Sequence, residues 1–429
     1  MKKSLFVFVV LLISISVSAQ SIDITRVRDN EEKYNPELGY FQKAHTDLGD
    51  PRFMFTDNTG NFTMGIGATI HMTGYYDFLG AIDDYTFKPC MISIPTDDAM
   101  HMGLTMSNTE FHIKAKSYLG QYKLIAYLQV NNKAKEWSSN DIRLTQAYIS
   151  WNNFSVGRTY SFFMDLEAGA MTVDMQGPNA QIGRTHALVG YTLPLGERWT
   201  FAAALEEPSF NVTNTDAYHV GVDFQPAPDL AMHVKYKGDM GHLQLAGLLR
   251  YMAYFAEKIS ISGHQSLTEA ETFFEPGYGL SLSGKIDPTP WLSFSAQFAG
   301  GCGISAYVND LDDLDVNFGL LKETNPEGYC QLSPVPVHAA YASATINWTS
   351  SLKSSLLYGF TNVIIDDDME LLNNFKSSQY FATNLFWYFS PYFFIGAEYL
   401  HGYKTIYAEG NEKNNGSANR IDATITYRF

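Results

Sequence analysis

Phe62-Thr63-Met64-Gly65-Ile66-Gly67-Ala68-Thr69-Ile70-His71-Met72-Thr73 alternates without a break. Phe62, Met64, Ile66, Ala68, Ile70 and Met72 take one parity, and Thr63, Gly65, Gly67, Thr69, His71 and Thr73 the other. A two-residue period puts each set on its own face of a β-strand. The far end of the chain repeats it: Ile421, Ala423, Ile425, Tyr427 and Phe429 alternate with Asp422, Thr424, Thr426 and Arg428. Between the two ends the same period recurs, giving sixteen expected strands: 62–78, 104–118, 121–131, 141–151, 153–158, 184–193, 198–206, 230–237, 242–252, 276–286, 290–300, 338–349, 351–361, 376–389, 392–404 and 418–429. The weakly alternating stretch 216–225 is set aside as a loop, because an odd count would put the termini on opposite sides of a membrane.

Connection lengths alternate too. Tight turns fall at Leu119-Gly120-Gln121, Asn152-Asn153, Pro194 to Arg198, Gly238 to Gly241, Asp287 to Pro290, Thr349 to Ser351 and Phe389 to Pro391. Long connections fall at 79–103, 132–140, 159–183, 207–229, 253–275, 301–337, 362–375 and 405–417. Segregated turn lengths are what a membrane barrel needs, with short turns on the periplasmic side and long loops outside.

The composition agrees. Of 429 residues, 45% are hydrophobic and only 17% charged, which excludes a disordered chain. Beyond the N-terminus no apolar run approaches the ~20 residues of a spanning helix. A net charge of −16 argues against a nucleic-acid partner recognised through a basic surface. The chain opens Met1-Lys2-Lys3, runs apolar from Leu5 to Val17, and places Val17 and Ala19 before Gln20. That is the layout of a cleaved signal peptide, 1–19. No Cys follows Ala19, so no lipid anchor is expected. An exported chain without spanning helices can cross lipid only as a closed barrel. The expected architecture is therefore all-β: a signal peptide 1–19, a short periplasmic N-terminal segment 20–61, and a 16-stranded antiparallel transmembrane β-barrel over 62–429 in a Gram-negative outer membrane. Trp151, Trp348, Trp387 and Tyr427 stand at strand ends, where interfacial girdles form. The terminal Tyr427-Arg428-Phe429 looks like an outer-membrane assembly signal.

Outward positions are apolar: Trp199, Phe201, Ala203 and Leu205, or Leu292, Phe294, Ala296 and Phe298. Inward positions hold Gly, Ser, Thr, Gln and charges, with too little bulk for a second core, which implies a wet lumen. Inward parity collects Lys114, Lys116, Lys123, Arg143, Arg184, Lys235, Arg250, Lys285 and Arg428, against Glu110, Glu206, Glu398 and Asp422. Along 141–151 the parity is ambiguous, since Arg143 and Ile149 share a face. The acidic excess lies in loops: Asp83, Asp84, Asp97 and Asp98; Asp310, Asp312, Asp313 and Asp315; and Asp366 to Asp368 with Glu370. A basic wall in a low-dielectric channel favours anions; ordinary solvated lumen charges are the plainer alternative. The 159–183 loop is too apolar to stand in water, which predicts that it folds into the lumen as a constriction. There Asp165, Glu167 and Asp174 are expected to face wall arginines, with Arg158 at the loop's base.

Around that loop the sequence resembles the DcaP-like trimeric porins of Gram-negative outer membranes. The matching text is Val156-Gly157-Arg158-Thr159-Tyr160-Ser161-Phe162-Phe163-Met164-Asp165, then Val173-Asp174 and Gly177-Pro178-Asn179. Gly238-Asp239-Met240-Gly241-His242-Leu243-Gln244-Leu245-Ala246-Gly247-Leu248-Leu249-Arg250 and Gly277-Tyr278-Gly279-Leu280-Ser281-Leu282-Ser283-Gly284 are similar to family strands. The resemblance implies sixteen strands, a homotrimer, an inward third loop and passage of small anionic solutes such as dicarboxylates. The sequence departs from the family in two ways: residues 20–61 show no heptads, and after Gly177-Pro178-Asn179 only Arg184 supplies an inward arginine.

The leading expectation is a passive channel for small polar or anionic solutes, seated in outer-membrane lipid, with no cofactor. A barrel acting as an adhesin or structural protein through its acidic loops is the second class. A barrel enzyme is the third, and no spacing pairs one of the eleven His with a nucleophile and an orienting acid. A plugged energy-coupled transporter needs a longer chain. The run Asp366 to Asp368 with Glu370 is either a solvated loop or a Ca²⁺ site. Three cysteines, Cys90, Cys302 and Cys330, cannot all pair within one chain. Cys302 and Cys330 either clasp the polar stretch between them or remain thiols.

Overall fold

A computed structural model describes residues 53–57, 61–82, 84–120, 122–132, 141–210, 212, 220–257, 270–312, 314, 316–323, 325, 328–371, 373–407 and 414–429. The expected leader 1–19, most of the segment 20–61, and Asp83, Asp313 and Asp315 lie outside the described residues.

Sixteen staves follow in chain order: β1 (Phe62–Leu79), β2 (Glu110–Leu119), β3 (Tyr122–Asn132), β4 (Ile142–Trp151), β5 (Phe154–Tyr160), β6 (Thr185–Leu195), β7 (Trp199–Glu206), β8 (Asp229–Gly238), β9 (Gly241–Glu257), β10 (Ala270–Thr289), β11 (Leu292–Cys302), β12 (Pro336–Asn347), β13 (Leu352–Val363), β14 (Phe375–Ser390), β15 (Phe393–Ile406) and β16 (Asn415–Arg428). Each pairs antiparallel with the next, and β16 pairs with β1 from Thr69↔Arg428 to Leu79↔Asn419. The sheet is thus a closed antiparallel barrel, which leaves no unpaired edge. At the seam, Phe429 and Ala68 exchange both backbone hydrogen bonds at 2.9 Å.

The alternation now has its physical reason. Ile70, Met72, Leu205, Leu245, Leu282, Phe298 and Ile425 all point outward and are exposed, whereas their inward neighbours Thr73, Gln244, Ser283, Thr424 and Thr426 are buried. An apolar outer face and a polar inner one invert the arrangement of a water-soluble sheet and match a wall set in hydrocarbon. Aromatics collect at the turn end, where Tyr122 meets Trp151 at 5.8 Å, Phe154 meets Tyr191 at 4.6 Å and Trp199 meets Tyr236 at 4.9 Å.

Four features differ from the sequence reading. The stretch expected as one strand, 104–118, is broken. His101–Thr105 pairs with the upper half of β1 and Glu110–Leu119 with its lower half. Thr73 opposes Thr105 and Thr69 opposes Glu110, so this side carries one residue more. Asn108, at φ 67°, absorbs it, as Asn does more readily than most residues. Second, Val220–Val222 within the expected loop 216–225 is a strand, pairing Val220 with Ala256 of β9. It continues the β8 ladder beyond Leu230↔Leu249, so the stave count stays at sixteen. Third, Phe53–Thr56, assigned to the periplasmic segment, joins the barrel sheet. The chain doubles back through Asp57 N–H to Phe62 O (3.0 Å), and Phe53 pairs with Ile66.

The fourth difference is the largest. The inward face does border a hydrophobic core, because the loops bring the bulk that the staves lack. Phe87 and Ile92 of the first long loop, Phe163 and Ile182 of the third, and Ile304, Val308 and Leu311 of the sixth are fully buried together. The wall meets them with the small or slim residues Ala231, Ala246, Ala299, Val337, Ala339 and Ala382, and with the bulkier Leu248, Tyr341, Leu357, Tyr380 and Leu400. Removing these loop side chains from water holds the three loops inside the barrel. All three cysteines are free, Cys90 and Cys330 being buried, so no Cys302–Cys330 clasp forms.

Candidate functional site

The third loop, 161–184, crosses the barrel interior and is tethered to staves on opposite sides. At its start, Ser161 N–H donates to Arg184 O at 2.9 Å and closes the loop's neck. Phe162 N–H donates to Glu206 of β7 at 2.7 Å, and His233 of β8 bonds the Phe162 carbonyl at 2.7 Å. Farther along, Tyr341 of β12 donates to Ala168 O, and Ser355 of β13 to Met171 O. At the far wall, the N–H groups of Val173 and Asp174 both donate to Glu398 Oε2 of β15, at 2.8 and 2.7 Å, while Asn384 Nδ2 donates to its Oε1 at 2.9 Å. Gln297 of β11 takes the returning strand, accepting from Ile182 N–H and donating to Ala180 O.

Asp165 is the most engaged acid on the loop. His242 Nε2 donates to its Oδ2 at 2.8 Å, Ser283 Oγ to the same oxygen at 2.8 Å, and Lys235 Nζ to Oδ1 at 3.2 Å. Burial works to raise this carboxyl, but the His242 hydrogen bond and the Lys235 charge hold it well below the usual range. Glu167 accepts from Lys235 at 3.0 Å and Lys237 at 3.4 Å. Asp174 accepts from Phe87 N–H, Gln176 N–H and Tyr380 Oη. Burial pushes it up to about 6, against those three hydrogen bonds. The expected facing pairs with wall arginines are therefore corrected: the wall meets Asp165 with lysine, histidine and serine, Glu167 with lysine and Asp174 with tyrosine.

The wall cations divide into two groups. Lys235 and Arg250 are spent on structure. Arg250, 4% exposed, donates to Asp229 at 2.9 Å and to the carbonyls of Gly303 and Ser209, and it lies over the rings of Phe210 and Tyr307. It holds the sixth loop rather than facing a pore. Lys285 lies 3.7 Å from Asp287, and Lys114 is buried on β2 opposite Tyr127. Lys116, opposite Thr63 and Ile125, is half-buried.

Arg143, Arg158 and Arg184 form the other group. They stand on β4, on β5 and just ahead of β6, and Arg158 feels the charges of both others. Arg158 donates to Thr185 Oγ1 at 3.1 Å and Arg184 to Ser209 Oγ at 2.8 Å. Among the described residues none of the three has a carboxylate within salt-bridge distance; Arg143 is exposed and the other two half-buried. Arg158 lies near the end of a stave, opposite Ala147 and Ala187 and in step with the exposed Phe154 and Val156, so it takes the outward face at the loop's base. The parity conflict at β4 is settled by a bulge at Thr145. Arg143 faces Asn131 on the inward side, while Ile149, opposite Ala126, points out.

The sequence reading missed His242, Ser283, His233, Asn384 and Tyr341 as anchors. Alternation places each on the inner face, but only the loop's path shows what it meets. Among the described residues no group of three or more His, Cys, Asp or Glu is arranged to hold a metal ion, the Asp366 to Asp368 run with Glu370 included. There Met369–Glu370 instead joins a small sheet with Phe318–Leu321, and Lys322 Nζ donates to Asp367 O.

Solved structures with this architecture include outer-membrane channels. The outer membrane channel DcaP of Acinetobacter baumannii superposes with a TM-score of 0.70 at 16% identity, covering 87% of this chain and 99% of that one. The fold is the one seen in the DcaP channel. An anion-selective porin from Comamonas acidovorans gives a TM-score of 0.54 at 9% identity, over 86% and 100%. OmpT, an outer membrane protein of Vibrio cholerae, in its trimer form, gives 0.53 at 12%, over 86% and 99%. No protein-family model matches the chain, and no curated protein matches it.

Proposed function

We propose that this chain is a passive outer-membrane channel for small hydrophilic solutes, with a weak preference for anions such as dicarboxylates. The observation that carries the anion preference is the pair of inward arginines, Arg143 on β4 and Arg184 just ahead of β6, neither of which has a carboxylate within salt-bridge distance among the described residues. The loop's acids are already matched: Asp165 and Glu167 by Lys235, Lys237 and His242, with Asp174 hydrogen-bonded into the wall. The charge left to face a solute in the lumen is therefore positive at the arginines, and low-dielectric walls strengthen its field. The barrel, with apolar residues outward and aromatics at its turn end, supports seating in outer-membrane lipid, with the turns periplasmic and the long loops outside. The leader 1–19, the periplasmic segment that follows it and a homotrimer belong to the same reading; the Vibrio cholerae protein has a trimer form.

Planar-bilayer recording under a KCl gradient tests this. Stepwise conductance in groups of three, with a reversal potential on the chloride side, is expected. Absence of conductance would favour the adhesin or structural alternative, and a potassium-side reversal would remove the anion preference.

A further inference from the structure

The channel reading leaves two buried atoms along the β1–β16 seam without a hydrogen-bond partner among the described residues, Arg420 Nη1 and Asp422 Oδ1, and of the two residues Asp422 borders a cavity. Asp422, on the inner face of β16, is 1% exposed, and its Oδ1 has no hydrogen-bond partner among the described residues. It lines a small cavity between the seam and the third loop, together with Thr73 of β1, Tyr85 of the first loop, Ser107 and Asn108 of the chain's kink, and Asp174. The space takes about one water-sized occupant. His71 also borders it, but its two ring nitrogens are already bonded to Thr426 and Thr73, at 2.9 Å each.

Charge at this place is unbalanced. Asp422 feels three other carboxylates, Asp77, Asp174 and Glu398, and one cation, Arg420. Arg420 is held by Asp77 in a two-pronged pair at 2.7 and 2.9 Å. Glu398 and Asp174 have their own donors. Among these four acids only Asp422 has a carboxylate oxygen that is buried and unbonded. A water would satisfy that oxygen without neutralising the group, and a proton would neutralise it without filling the space, while buried uncompensated charge is costly. A cation does both. Besides His71, whose ring nitrogens are taken, and the Met175 thioether, the lining offers carboxylate, hydroxyl and amide oxygens, which suit a hard cation better than a metal that prefers nitrogen or sulfur. The geometry points to a divalent, calcium-class cation bound at Asp422, tying the barrel seam to the third loop.

The test uses the full mature chain folded in detergent, stripped with EGTA, and titrated with CaCl₂ at constant ionic strength. One saturable Ca²⁺ site by calorimetry and a rise in Tm are expected, with NaCl at equal ionic strength producing neither. Asp422→Asn should abolish both, whereas Asp366→Asn with Asp368→Asn should leave both intact. Should Asp422→Asn fail to fold, Tb³⁺ replaces Ca²⁺ in the wild type. Its tyrosine-sensitised luminescence should fall at least two-fold in Tyr85→Phe, a change that keeps every carboxylate. Absence of saturable binding, equal binding by a folded Asp422→Asn, or unaltered luminescence in Tyr85→Phe would each overturn the site.

Discussion

His242 on β9 and Asp165 on the third loop are joined at 2.8 Å, with both side chains almost completely buried. This contact sits at the loop's near end, while Glu398 on β15 receives two backbone N–H groups at its far end. The loop is thus pinned at both walls, and the charge-assisted hydrogen bonds at its near end are stronger than neutral ones.

Asp165→Ala should loosen the near end. It leaves Lys235 with Glu167 alone and strips His242 and Ser283 of their acceptor. Breaking a buried charged contact costs about 3–5 kcal/mol. Single-channel recordings should show larger and noisier openings than wild type; traces matching the wild type would mean that the loop holds without this clasp.

Asp174 predicts a pH dependence of stability. Its carboxyl is raised to about 6 in the fold, against about 4 in an unfolded chain. The folded state therefore holds the proton more tightly between those values, and by linkage this group's contribution improves as pH falls from about 6 toward 4. Above about 6 the full cost of the charged form remains, roughly 3 kcal/mol from a shift of about two units. Asp174→Asn should flatten that slope in thermal melts taken between pH 4 and 7. An unchanged slope would assign it to other groups.

Arg184→Glu and Arg143→Glu should each move the reversal potential toward cations, and the pair together should move it further. Arg250→Gln should instead lower Tm with little change in selectivity, because Arg250 is taken by Asp229 and two carbonyls. Equal selectivity changes from Arg250 and Arg184 would show that lumen charge as a whole, and not the arginine pair, sets the preference.

Arg420→Ala should be among the most destabilising single changes in the barrel. Arg420 is fully buried, pairs with Asp77, caps the carbonyls of Ile82 and Asp84, and lies over the Tyr75 ring at 4.5 Å. Removing it strands a buried carboxylate, a loss of about 3–5 kcal/mol. Asp77→Leu with Arg420→Met should recover much of that in detergent melts. A single change as mild as the double would show the pair to be dispensable.

Much of the barrel can be read along the chain because lipid acts on each stave separately. Ile70 or Leu282 must be apolar whatever its neighbours do, so a period of two survives in every segment. Where a stave takes an extra residue, as at Thr145 or across Asn108, the parity slips and a reading based on alternation alone stalls. Such was the case for Arg143 and Ile149. The lumen is less legible. Lys235 and Arg250 share the inward parity with Arg184, yet two of the three are consumed by Asp165, Glu167 and Asp229, residues far away in sequence.

Sequence alone determined the stave number, the two faces of the wall and the segregation of short turns from long loops. Each follows from local contact with lipid or water, repeated every second residue. Only the tertiary structure decided which loops fill the barrel, which cations they neutralise and which arginines remain, since those outcomes depend on where Phe87, Phe163 and Ile304 find room against small wall residues. Burial of that kind couples positions hundreds of residues apart, and no period in the chain records it.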